Sequence, residues 1–238
     1  MFENKKIIVS MTSWKKRIDD VPKIIYMMER QTVIPDEIVL NLSSDEFPNL
    51  EKDLPANLIL FANVLDNFKI CWVKENTRAF KKVIPTIAKH YDEDCLILSI
   101  DDDYLYYTDY VEFVVKTALM YDNNYITVGT EGNFVHGWCS VYRPVWFKDE
   151  KLDKLTVAEM NSIVSSDLWI TVNLENNKIK PVKIPEIAEH YTKLESKFPL
   201  WKLYNKIPLT KRKIACFAAA RRIGRRATLC GSLNQLMV

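Results

Sequence analysis

Three consecutive aspartates, Asp101, Asp102 and Asp103, stand directly after the apolar run CLILSI. Carboxylates this close repel and raise one another's pKa unless a cation compensates them. A hard divalent ion, Mg²⁺ or Mn²⁺, is the economical compensator, because it takes oxygen ligands, keeps one or two protein carboxylates and completes its shell with phosphate oxygens. The competing reading is a solvated acidic turn that caps a helix near Thr108 and Asp109. The apolar run in front favours the metal, since ligands of open α/β sheets bind beyond the carboxyl ends of the strands.

The elements that would position this turn are legible from periodicity. KKIIVSMTS predicts a buried strand around Ile7, Ile8 and Val9. Val21, Ile24, Ile25 and Met28 follow at helical spacing, with Asp19 or Asp20 as N-cap and Pro22 in the first turn. DEIVLNLS, FKICWVKE and CLILSI predict three further strands. Between the last two, AFKKVIPTIAKHY places Phe80, Val83, Ile84, Ile87 and Ala88 on one helix side, interrupted by Pro85. VEFVVKTALMY predicts a helix, YITVGT a strand, SDLWITVNLENNKI a helix starting at Ser166 or Asp167, and KPVKIP a last short strand. Strands alternating with helices predict right-handed crossovers and an α/β fold with a mostly parallel sheet flanked by helices.

The 238 residues suffice for one sizeable core, and 48% hydrophobic with 27% charged residues is a soluble globular composition. Five widely spaced cysteines support neither a disulfide framework nor a zinc cluster and fit a reducing cytoplasm. The short apolar stretch near the N-terminus is too brief for a signal peptide or a span. The net charge of +2 hides an asymmetry. From Tyr191 onward eleven basic residues face one acid, Glu195, so the tail is +10 and the remainder −8. We therefore divide the chain into a body, residues 1–191, and a basic, helical, amphipathic extension, residues 192–238.

With these elements in place, the sequence resembles bacterial nucleotide-sugar glycosyltransferases of the GT-A (Rossmann-like) fold, in particular those of lipopolysaccharide and capsule clusters. The matching residues are Thr12, Ser13, Arg17 and Ile18 in TSWKKRI; Lys82 and Pro85 in FKKVIP; Asp101, Asp102 and Asp103; Gly137, Tyr142 and Arg143 in HGWCSVYRP; and Ser166, Asp167 and Trp169 in SSDLWI. They run from about Ile7 to Tyr191.

The resemblance implies a metal-dependent hexosyltransferase that moves Gal, Glc or a HexNAc from a UDP-sugar to a surface glycan or lipid-linked oligosaccharide, with inversion. Thr12, Ser13, Arg17 and Lys82 would face the nucleotide or its phosphates, with Asp101 and Asp102 beside them. Asp103 and Asp101 would hold Mn²⁺ or Mg²⁺, and His190 would complete the shell. Asp167 would be the general base. The alternatives are a surface cation for Arg17, an exposed helical lysine for Lys82, a helix cap for Ser166 or Asp167, and an ordinary histidine at 190. His136, Trp138 and Tyr142, near Gly132 and Gly137, would approach a sugar or else belong to the core.

The extension interleaves its cations with Trp201, Leu203, Tyr204, Ile207, Ile214 and Phe217. That pattern suits an anionic membrane interface and a peripheral place on the inner face of the cytoplasmic membrane; the alternative is a helical pair packed on the acidic body. No nucleic-acid module is recognisable. A Mg²⁺-dependent phosphotransferase and a non-catalytic carbohydrate-binding scaffold are the competing functions, and oligomeric state is left open.

Overall fold

The computed structural model describes residues 4–131, 134–137, 139–194 and 206–227. In chain order its first elements are β1 (Lys6–Thr12), α1 (Val21–Met28), β2 (Glu37–Ser43), α2 (Ala56–Val64), β3 (Phe68–Val73), α3 (Ile84–Lys89), β4 (Cys95–Ser99), β5 (Tyr104–Tyr106) and α4 (Tyr110–Met120). There follow β6 (Asn124–Thr127), β7 (Thr130–Glu131), β8 (Phe134–Val135), β9 (Ser140–Tyr142), α5 (Val157–Ile163), α6 (Ser166–Asn176), β10 (Lys180–Lys183), β11 (Tyr191–Lys193) and α7 (Leu209–Ile223).

The expected α/β architecture is observed. The central sheet has the order β3-β2-β1-β4-β9, parallel throughout except for β9 against β4. Side chains alternate across β1: Ile7, Val9 and Met11 enter one core with Ile24, Ile25 and Val114, while Ile8 enters the other with Ile87, Ile97 and Ile170. Both faces are therefore covered, which is why the strands read as nearly unbroken apolar runs. Strand order reverses between β1 and β4, so the chains leaving their carboxyl ends diverge and open a crevice.

Details of the expected elements differ. Asp20 occupies the N-cap position of α1 without a side-chain cap bond, because a 3-10 turn, Ile18–Asp20, feeds straight into the helix. The segment around Pro85 is two pieces: a 3-10 turn, Arg78–Lys82, and then α3, in whose first turn Pro85 fits without needing an N–H. β10 pairs with β6 in a separate ladder, and β11 pairs with β5.

Helix α7 lies against the body. Cys216, Ala219 and Ala220 are buried in the same core as Ile163 and Val172. Arg222 is held by Glu159 at 2.6 Å, and Arg225 pairs with Asp149 and donates to Asn177 at 3.0 Å. Over these residues the extension adopts the packed arrangement, and its outward side keeps Ile214 and Phe217 exposed. Trp201, Leu203, Tyr204, Cys230, Trp138 and Gly132 lie outside the described residues.

Candidate active site

A cleft of about 610 Å³ opens at the carboxyl ends of the parallel strands. Its walls come from the loop after β1 (Thr12, Ser13, Trp14, Arg17), the segment after β3 (Arg78, Lys81, Lys82), the turn after β4 (Asp101, Asp102, Asp103) and the start of α6 (Ser166, Asp167). The structure thus brings together every expected site residue except His190. That residue pairs with Asp109 at 3.0 Å, stacks on Phe113 and does not line the cleft. It joins no converging three-donor group with the aspartates among the described residues.

Each of the three aspartates pairs with a protein cation. Asp102 is 2% exposed; its Oδ1 meets Arg17 Nη2 at 2.6 Å and its Oδ2 accepts from Ser13 Oγ at 2.5 Å. Burial pushes its pKa up to about 7, against the pull of Arg17 and Ser13. Arg17 Nη1 lies 2.9 Å from Asp103 Oδ2, and Lys82 Nζ donates to Asp101 Oδ1 at 2.8 Å. Arg17, from β1's side of the crevice, and Lys82 thus bring positive charge to these carboxylates. Neither cation has its alternative place. Arg17 is 6% exposed and Lys82 7%, so one is not a surface cation and the other not a solvated helical lysine.

Backbone anchors hold this turn. Tyr106 Oη accepts from Asp101 N at 2.9 Å and donates to Asp101 O at 3.1 Å, while Leu194 N donates to Asp103 O. Beneath Lys82 runs a buried polar network: Ser10 Oγ donates to Lys82 O at 2.6 Å, Asn41 Nδ2 donates to Thr86 Oγ1 at 3.0 Å, and the Ser10 and Thr86 hydroxyls meet at 2.7 Å. Thr12 donates to Asn41 O at 2.7 Å, fixing the mouth of β1.

Asp167 enters the cleft from the first turn of α6, where a helix N-terminus favours negative charge. Neither it nor Ser166 caps the helix; Ser165 stands at the N-cap position without a side-chain cap bond. The Asp167 carboxylate instead accepts from the Gly137 N–H. Gly137 is tied to β4 through Ser99 Oγ, which donates to its carbonyl at 2.6 Å. Burial raises the Asp167 pKa, opposed by Lys82 and the Gly137 amide. Burial also works against the Lys82 ammonium, but Asp101 and Asp167 outweigh it and raise its pKa. One lysine therefore couples the acidic turn to the carboxylate across the cleft.

Tyr142 is core: fully buried, its hydroxyl 3.2 Å from that of Tyr125. The His136 ring sits beside Gly129, outside the cleft lining, and Arg143 pairs with Asp94 and Asp122. Sequence reasoning missed Trp14, Arg78, Lys81, Tyr104, Lys193 and Lys206 on the cleft wall. Only Trp14 carried a signal, an aromatic residue in a loop leaving a strand's carboxyl end.

The residues fit a divalent cation in part. Asp102 has both oxygens committed. Lys82 takes Asp101 Oδ1 and Arg17 takes Asp103 Oδ2, leaving Asp101 Oδ2 and Asp103 Oδ1 for an ion among the described residues. Two carboxylates suffice for Mg²⁺ when phosphates complete the shell.

No family model matches the sequence, and no curated protein aligns with it. Among solved structures, the crystal structure of S. aureus TarS 1-349 in complex with UDP is similar over 69% of this chain and 55% of that one, with 13% identity and a TM-score of 0.42. The chain spans about half the length of that structure.

Proposed function

We infer that this chain is a glycosyltransferase that moves a hexosyl group from a UDP-sugar to a hydroxyl of a surface glycan, inverting the anomeric centre. What supports the reading is one observation: Asp167 and the Asp101–Asp103 turn face a single cleft at the switch point, joined by Lys82. Asp167 accepts the acceptor hydroxyl's proton as that oxygen attacks; burial raises its proton affinity, which suits a general base. Trp14 offers a flat face to a base or sugar, and Lys193 and Lys206 bring positive charge to the cleft wall. Asp101 and Asp103 would hold Mn²⁺ or Mg²⁺. Such an ion stabilises charge developing on a departing diphosphate.

The test is UDP release from a panel of UDP-sugars, with and without Mn²⁺ and acceptor glycans. Transfer should be seen with one donor and fall by about 10²- to 10⁴-fold in Asp167→Asn. Saturable UDP-sugar binding without turnover would establish the carbohydrate-binding alternative; absence of UDP binding would remove the proposal.

For the acceptor, we propose a lipid-linked glycan at an anionic membrane surface. No helix among the described residues is long and apolar enough to cross a membrane. The outward side of α7, however, carries Ile214 (52% exposed) and Phe217 (39%) flanked by Lys211 and Arg221. Anionic vesicles should pellet the protein and neutral ones should not, with binding lost in an Ile214→Glu/Phe217→Glu variant. Equal pelleting of that variant would refute the helix face.

A further inference from the structure

A second cluster of ligand-type side chains lies at the opposite end of the central sheet, where β4 begins. His90 follows the last residue of α3, the chain turns through Glu93, and Cys95 opens β4. One donor atom from each of the three lies within 4.8 Å of those of the other two. His90 is 3% exposed and Cys95 1%, so a nitrogen and a sulfur donor are presented in a dry site. Glu93 is half exposed and gives that site an entrance and a charge.

His90 carries the argument. Its Nδ1 faces Glu93 Oε1 at 2.8 Å, while its buried Nε2 has no hydrogen-bond partner. Buried polar groups are nearly always hydrogen-bonded, and an exception calls for a reason such as an ion. The other charged group facing Glu93 is Lys6, at 3.6 Å and closer to Glu37, at 3.1 Å. An N, O, S donor set is borderline-soft, which selects zinc over the oxygen-seeking magnesium and calcium.

The geometry points to a zinc-type site formed by His90, Glu93 and Cys95, separate from the cleft and pinning the end of α3 to the start of β4. Three protein ligands leave one tetrahedral position for water. As the metal–sulfur bond forms, the Cys95 thiol releases its proton to solvent.

The experiment uses the full chain, stripped with chelator and titrated with cobalt chloride, then with zinc chloride. Expected are one equivalent of cobalt, a near-ultraviolet thiolate-to-cobalt band with tetrahedral visible bands, and their loss as zinc displaces cobalt. His90→Ala and Cys95→Ser should abolish the band, whereas Cys71→Ser and Asp103→Ala should keep it. Because the first two remove buried groups and can impair folding, Glu93→Gln decides independently: its half-exposed side chain leaves the core untouched, and cobalt affinity should fall by about tenfold or more. No thiolate band at one equivalent, or a band that persists in Cys95→Ser, overturns the site. Unchanged cobalt affinity in Glu93→Gln does so too.

Discussion

Replacing Gly137 by Ala isolates how closely Asp167 must be held. A Cβ built on Gly137 would lie 2.3 Å from Asp167 Oδ1 and 3.1 Å from its Cγ. Ordinary contact begins at 3.4 Å, so about 1.1 Å must be recovered by moving the carboxylate. The backbone at Gly137 is outside the left-handed region, so alanine is conformationally permitted there and the perturbation is the contact alone. A displacement near 1 Å at a reacting group is worth about 10²-fold in rate. Overpacking of this kind costs about 1–3 kcal/mol of stability. The assay is sugar transfer at saturating donor alongside thermal unfolding of the same preparation: turnover should fall about 10²-fold while the protein remains folded at assay temperature. If Gly137→Ala turns over like the parent, Asp167 is not the base or its position is not critical, and the reasoning fails.

Arg17→Met should cost about 3–5 kcal/mol, because it leaves buried Asp102 without its counter-charge, and Asp102→Asn in the same chain should restore much of that in denaturant unfolding. Lys82→Met should move the acid limb of the rate profile to higher pH, since Lys82 holds the Asp167 pKa down; an unmoved limb would separate Lys82 from the base. The Glu159 carboxylate is held at about 2, below its ordinary 4.5, by Arg222 first and by the Thr156 cap. Its contribution is present above 4.5 and lost as pH falls toward 2, so the melting-temperature gap between the parent and Arg222→Ala should close over that window. Ala220→Leu should destabilise by about 1–3 kcal/mol if α7 belongs to the core; an unchanged unfolding midpoint would contradict that packing.

How much of this was legible depended on whether local pattern or long-range contact decided the outcome. β1, β2 and β4 were readable because burial on both faces leaves unbroken apolar runs, and α1 because Val21, Ile24, Ile25 and Met28 keep a strict helical spacing. α2 was missed: LILFANV is apolar all round, buries only Leu58 and leaves Leu60 and Val64 exposed, so it has no readable period. α5 had a capping box, Thr156 with Glu159, that was overlooked. β9 was hidden because a strand of three residues, Ser140–Tyr142, takes its identity from pairing with β4. In the site, the residue types were visible but the pairings were not. Nothing local in TSWKKRI says that Arg17 will face Asp102, 85 residues on; that contact follows from β1 and β4 lying side by side. The polar residues Ser10 and Asn41 in apolar strands were a signal left unused, since a buried strand tolerates them only where a network satisfies them.

The pairing of Arg17 with two aspartates changes what a divalent ion would have to do here. If the carboxylates had only each other, a metal would be structural, needed to keep the turn folded. With Arg17 and Lys82 in place, an ion approaching Asp101 Oδ2 and Asp103 Oδ1 meets two protein cations on the other oxygens of the same carboxylates. Its binding energy must then come largely from ligands the protein does not provide, and a diphosphate is such a ligand. The division of labour follows from charge: Asp102, with both oxygens engaged, fixes the turn; Asp101 and Asp103 each keep one oxygen unengaged by Arg17 or Lys82; and the Lys82 ammonium feels both Asp101 and the Asp167 carboxylate across the cleft.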